Sequence, residues 1–222
     1  MGEWVQTLHS GRAIDAERSA CKIWPGNPEQ SLAVLLLPQS PPSDDATIYD
    51  VDIVVANSES GAIIAHLYQP SAITSDAVAL EGVKIDTARW QLTPQVLAFG
   101  VSKTFNGSSS VNPYGVSALS LYVVDGQTLR AVLADLTTHE SHGEWDQNCA
   151  GEFSDLTRAV SIGGAGQGGY ATLHVHEKEV DSTQVQTKSD CVTRKKPVRQ
   201  SDVTLGYDGT HYVVPAKLKF DQ

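Results

Sequence analysis

The densest group of chemically capable side chains lies between Thr138 and Asp146, where His139, Glu140, His142, Glu144 and Asp146 fall within eight residues. Such a set holds zinc when neutral imidazoles converge on one point, as they do at i,i+4 on a helix or i,i+2 on a strand. His139 and His142 stand three apart in a segment that reads as a strand end and loop, and there is no His-Glu-x-x-His. The run is therefore expected to be a solvated loop ahead of Cys149, and no metal or other cofactor is assigned. His174 and His176 do have i,i+2 spacing, which sends both imidazoles to one strand face, with Val175 inward and Glu177 on the opposite face from the histidines. Lacking an evident third ligand, the pair reads as an exposed polar face. A metal-dependent hydrolase using these two with His139 or His142 is the enzymatic alternative.

Other motifs fail on their surroundings. Gly163-Gly164-Ala165-Gly166-Gln167-Gly168-Gly169 is glycine-rich, but no Gly-Lys-Ser/Thr opens a helix after it, and YATLHV follows as a strand. It reads as a hairpin connection. Ser108, Ser109 and Ser110 lack the Gly-x-Ser-x-Gly frame of a nucleophile elbow and lie in a long polar loop, Phe105 to Gly115. Asn106-Gly107-Ser108 also matches a glycosylation sequon. Asp44-Asp45 and the pair Asp50 and Asp52 are acid/base candidates only if they face one cleft. Asp50 and Asp52 share a strand face, and the ordinary expectation for alternating acids is a solvated face. No catalytic residue is assigned, and the chain is not read as an enzyme.

Charge and sulfur narrow the class. A net charge of −10 disfavours nucleic acid and anionic membranes, both of which recruit Lys and Arg. The basic run Arg194-Lys195-Lys196-Pro197-Val198-Arg199 opposes that balance and reads as a solvated loop, with a docking patch for an acidic partner as the alternative. No apolar stretch approaches the length of a membrane span. The single methionine, at position 1 and followed by Gly, reads as a start placed on a mature chain whose signal peptide has gone. The three cysteines form no Cys-x-x-Cys, which argues for a disulfide and an oxidising compartment. Cys149–Cys191 is the preferred bridge, since hairpins can bring their polar flanks together; Cys21 competes for either partner.

The elements that must position these residues are strands. Leu32–Leu37 reads as a buried strand stopped by Pro38 and Pro41-Pro42, and Tyr49–Ala56 and Ala62–Tyr68 as a hairpin. Val83–Trp90 and Val96–Thr104 follow. Leu119–Val124 and Leu129–Leu133 flank the tight-turn signal Asp125-Gly126, and Val203–Tyr207 and His211–Val214 flank Asp208-Gly209. Helical periodicity is confined to Gly11–Lys22, with a turn near Thr74–Leu80. Many short strands at this spacing predict one all-β domain over residues 1–222, an antiparallel β-sandwich with residues 1–30 packed on it as an extension. A propeller-like array is the alternative.

SSSVNPYG, LSLYVVDG and LRAVL between Asn106 and Leu133, followed by Gly143-Glu144-Trp145-Asp146 and Cys149, resemble segments of uncharacterised exported proteins of Gram-negative bacteria. The resemblance covers about a third of the chain and implies a periplasmic β-rich fold, with the Trp145 ring packed near a disulfide. It implies no catalytic residue. The functional expectation is a periplasmic protein-binding domain, an inhibitor or immunity protein neutralising a secreted toxin or effector; an envelope structural or assembly component is a further alternative. The expected contact residues are Phe105, Asn106, Asn112 and Tyr114 around the polar loop, with His139, His142 and Glu144.

Overall fold

The computed structural model describes residues 1–40 and 46–220. Asp44, Asp45 and the Pro41-Pro42 stop lie outside the described residues. The described residues are all-β apart from one α-helix and two single 3-10 turns. Helix α1 is Gly2–Leu8, and the strands are β1 (Ala20–Ile23), β2 (Gln30–Pro38), β3 (Thr47–Asn57), β4 (Ile63–Ser75), β5 (Val78–Thr93), β6 (Val96–Gly107), β7 (Tyr114–Asp125), β8 (Thr128–Trp145), β9 (Gly151–Ala165), β10 (Ala171–Gln186), β11 (Cys191–Lys195) and β12 (Arg199–Leu205). They join in one sheet of order β1-β2-β3-β4-β8-β7-β6-β5; β9 is added to β8, β10 to β9, and β11 and β12 share the far edge of β10. Every pairing is antiparallel except β4 with β8, which meet only at His66 and Thr128. The expected two packed sheets are thus two halves of one bent sheet, and no separate blades form.

Burial explains the bend. Leu32, Val34 and Leu36 of β2 and Val51, Ile53 and Val55 of β3 pack in one cluster with Val83 and Ile85 of β5 and Phe99 and Val101 of β6. The alternate β2 residues, Ala33, Leu35 and Leu37, pack with Val54 and Ala56 against Val5 of α1. An unbroken apolar run is what a strand covered on both faces requires. On the far side, Leu119, Leu121 and Val123 of β7 and Val132 and Leu133 of β8 meet Leu173 and Val175 of β10 and Leu205 of β12. The strands therefore stack as three layers, with α1 as a cover.

Two expectations are corrected. The helix is not at Gly11–Lys22 but at Gly2–Leu8, where Trp4, Val5 and Leu8 share the apolar contact. Residues 11–19 turn instead: Gly11 takes φ 81°, Asp15 Oδ1 accepts from the Arg18 N–H (3.1 Å), and the Asp15 N–H donates to Leu36 O (2.9 Å). Local side-chain bonds of this kind compete with helix. The strands are also longer than expected; β8 runs 18 residues, through the segment read as a loop. Its paired edge carries register shifts and Asp135 has φ 52°, so one strand turns from the core into a projecting arm.

Candidate functional site

The arm consists of the second half of β8, with β9, β10 and β11 beside it, and its sequence shows how the register is fixed. His139–Trp145 pairs with Gly151–Thr157, and Phe153 lies directly opposite Gly143. A Cβ on Gly143 would stand 2.5 Å from the Phe153 ring, and one on Gly151 2.8 Å from it. Only glycine leaves room for that ring to cover the two backbones. The β8–β9 turn is held by Asp146, whose Oδ1 accepts the N–H groups of Asn148 and Ala150 (both 2.9 Å). Those backbone bonds, Ala150 first, hold its carboxyl below the ordinary range. Cys149 is bonded to Cys191 with Cα atoms 5.4 Å apart, joining this turn to the start of β11; Cys21 is free and exposed.

The polar loop before β7 is fastened to the same arm. Trp145 N–H donates to Val111 O (2.8 Å), Gly143 N–H to Pro113 O (3.1 Å), and the Gln147 amide to Ser110 Oγ (2.6 Å). Register then sorts the expected contact residues. Tyr114, His142, Ser154 and Asp181 form one cross-strand row, and Glu144, Glu152, Thr183 and Arg194 form the next. His142 and Glu144 share this face, with Asn112 lining the same shallow groove of about 480 Å³. A second groove of about 560 Å³ adjoins it, lined by Val111, Trp145 and Val185 with Glu144, Asp146 and Glu152. The Trp145 indole N–H, next to these side chains, is shielded and has no acceptor among the described residues.

The charge on this face is unbalanced. Glu144 stands directly opposite Glu152, both exposed, and Glu140 lies four residues back along β8. None of the three has a cation within 4 Å among the described residues, whereas Glu179 and Asp181 are both held by Arg199 at 2.6 and 2.8 Å. Burial and the Glu140 charge push the Tyr114 hydroxyl up.

The remaining candidates do not join it. Phe105 is buried, stacked on Phe220 at 5.4 Å, because the C-terminal segment covers what the sequence presents as a loop end; it is not available as a contact. Asn106 is exposed but its amide donates to Glu81. His139 points to the opposite face from His142 and meets Asp155 at 3.1 Å, so these histidines cannot share one ion. His174 and His176 lie on one exposed face beside Thr204 and Asp202, with Val175 in the core and Glu177 paired to Arg158. No group of three or more metal-type ligands occurs among the described residues. The basic run is not one loop: Arg194 and Lys195 end β11 and Arg199 begins β12.

A second polar cluster, unanticipated as such, sits under α1. Asp50 and Asp52 are buried rather than solvated, since the N-terminal segment covers their face of β3. Asp52 accepts from His9 Nε2 (2.7 Å) and faces His66 Nδ1 (3.2 Å). Asp50 takes Arg12 (2.9 Å), Tyr68 (2.6 Å), Gln39 (2.7 Å) and the Ser71 N–H (2.8 Å), which fill both oxygens. Burial would raise the Asp50 pKa, but these four donors outweigh it and hold the carboxyl far below its usual range. The cluster is a clasp for the N-terminal segment, with the Asp50 lone pairs spent inside the chain. No helix among the described residues is long and apolar enough to cross a membrane. No protein-family model, curated protein or solved structure matches the chain, so the reading of its surface rests on this geometry.

Proposed function

We propose that the chain is an exported protein-binding domain, an inhibitor or immunity-type protein that neutralises a secreted effector, and that it docks a basic partner on the acidic face of the arm. The observation that carries this reading is the juxtaposition of Glu144 and Glu152. Like charges directly opposite on neighbouring strands destabilise a sheet, and here Lys196 lines the same groove without an ion pair to either glutamate among the described residues. A Lys or Arg placed between them by a partner removes that repulsion, and the net charge of −10 speeds the encounter. Beside the acids, Val111, Trp145 and Val185 offer an apolar strip for an anchoring side chain. Two fastened turns and a disulfide hold the face in place, so little ordering is required on binding. The Cys149–Cys191 bridge supports export; the periplasm is the compartment the resemblance implies.

The test is capture from the exported proteins of the producing cell, with wild type and the double variant Glu144→Gln, Glu152→Gln as paired baits. A basic protein held by wild type, lost by the variant and released by salt is the expected result. A partner retained equally by both baits removes the acidic face from the interaction.

A further inference from the structure

Where β4 and β8 part beyond their one bridge, the first core is open. The other edge of β8 is occupied there by the C-terminal segment: Tyr212 N–H donates to Val132 O (2.7 Å), Lys219 bridges Leu136, and Phe220 N–H donates to Asp135 O (2.7 Å). Between β4 and this edge a cavity of about 130 Å³ enters the core, walled by Val34, Val51, Ile53, Val83 and Val101, with Tyr122 at its side. Apolar voids near 150 Å³ take up benzene, so the space suits a six-membered ring.

One end of the cavity is polar. Lys103 Nζ meets Asp135 Oδ1 at 3.1 Å, and the Asp135 N–H donates to Ser120 Oγ at 3.0 Å. The Tyr122 hydroxyl has its pKa pushed up to about 12 by burial and then by the Asp135 charge, so it stays a donor. Lys103 and Asp135 cancel, which gives an ion of either sign no advantage at the mouth. Asp135, which lines the cavity, holds φ 52°; such backbone strain in non-glycine residues gathers at ligand clamps. Phe220 lines a depression that adjoins the cavity through Ala72, Lys103 and Asp135, stacked on Phe105 with Lys103 Nζ 5.1 Å above its ring.

The geometry points to a small-molecule site in the β4–β8 split that takes a neutral, singly hydroxylated aromatic of phenol size, ring inward and hydroxyl between Tyr122 and Asp135, next to the depression lined by Phe220. It is independent of the acidic arm. Phenol and benzene, each titrated into the purified chain by calorimetry and thermal melting, test it. Phenol is expected to saturate and to raise the melting temperature with concentration, binding about tenfold more tightly than benzene, the worth of one buried hydrogen bond. Asp135→Asn, which also tolerates the positive φ, should reduce that preference to under threefold. Ala131→Leu, which fills the cavity, should abolish binding of both while its melting temperature stays at or above wild type. Absence of saturable binding of either compound to wild type and to Phe220→Ala overturns the site, and equal affinity for phenol and benzene overturns the assignment of its polar end.

Discussion

Asp50 with Asp52, and Glu144 with Glu152, are both pairs of carboxylates sharing one sheet face, and the fold treats them in opposite ways. The aspartates are buried, and Asp50 alone receives four donors from Arg12, Gln39, Tyr68 and Ser71. The glutamates are exposed, face each other directly and form no ion pair within 4 Å among the described residues. Burial forces satisfaction, because an unpaired buried charge costs several kcal/mol. Exposure removes that constraint, so an unrelieved pair on a fastened surface is free to serve an outside partner. The same residue chemistry is thus structural in one place and, on the proposed reading, a docking feature in the other.

Breaking the buried pair should have the largest effect. Asp50→Ala strands the Arg12 guanidinium and should cost about 3–4 kcal/mol in urea unfolding. The pH dependence follows from the lowered Asp50 pKa. Above the unfolded value near 4 the carboxyl is ionised in both states and its stabilisation is complete. As pH falls below that value the unfolded chain takes up the proton first, and stability drains away. Unfolding measured from pH 6 to pH 2 should fall steeply in wild type and less steeply in Asp50→Asn.

Next in size is the disulfide. Replacing Cys149 and Cys191 by Ser should cost about 2–3 kcal/mol. Amide exchange should quicken at Gln184 and Val192 near the tip while the Val54 and Leu35 amides keep their protection. Uniform loss across both regions would mean that core and arm open as one unit. The smallest change is at the exposed pair. Neutralising Glu144 and Glu152 should raise stability by about 0.3–0.5 kcal/mol, the scale of a cross-strand pair.

What was legible in the sequence divides along the same line. Leu32–Leu37 announces a strand buried on both faces, and Asp125-Gly126 announces the β7–β8 turn, although the turn falls one residue later, at Gly126 and Gln127, with Gly126 at φ 64°. The Cys149–Cys191 pairing was also readable, because hairpins bring the polar flanks together, Cys149 lying in the β8–β9 turn and Cys191 opening β11. Asp50 and Asp52 were misplaced because alternation has the same form whether water or a helix covers the face. The cover here comes from His9 and Arg12, about forty residues away in the chain. Phe105 failed for the same reason, its lid being Phe220. His142 and Glu144 were identified as contact candidates, yet their cross-strand neighbour Glu152 was missed. Register between distant strands is not written in either strand alone.

The two regions meet in one measurement: melting temperature and partner retention of the Glu144→Gln, Glu152→Gln variant, recorded beside wild type under the same salt. A higher melting temperature together with at least tenfold weaker retention of the basic partner, on the order of 1.4 kcal/mol, is the predicted result. A lower melting temperature would show that the two acids support the fold, and unchanged retention would place the docking surface elsewhere; either contradicts an acidic face kept unpaired for a partner.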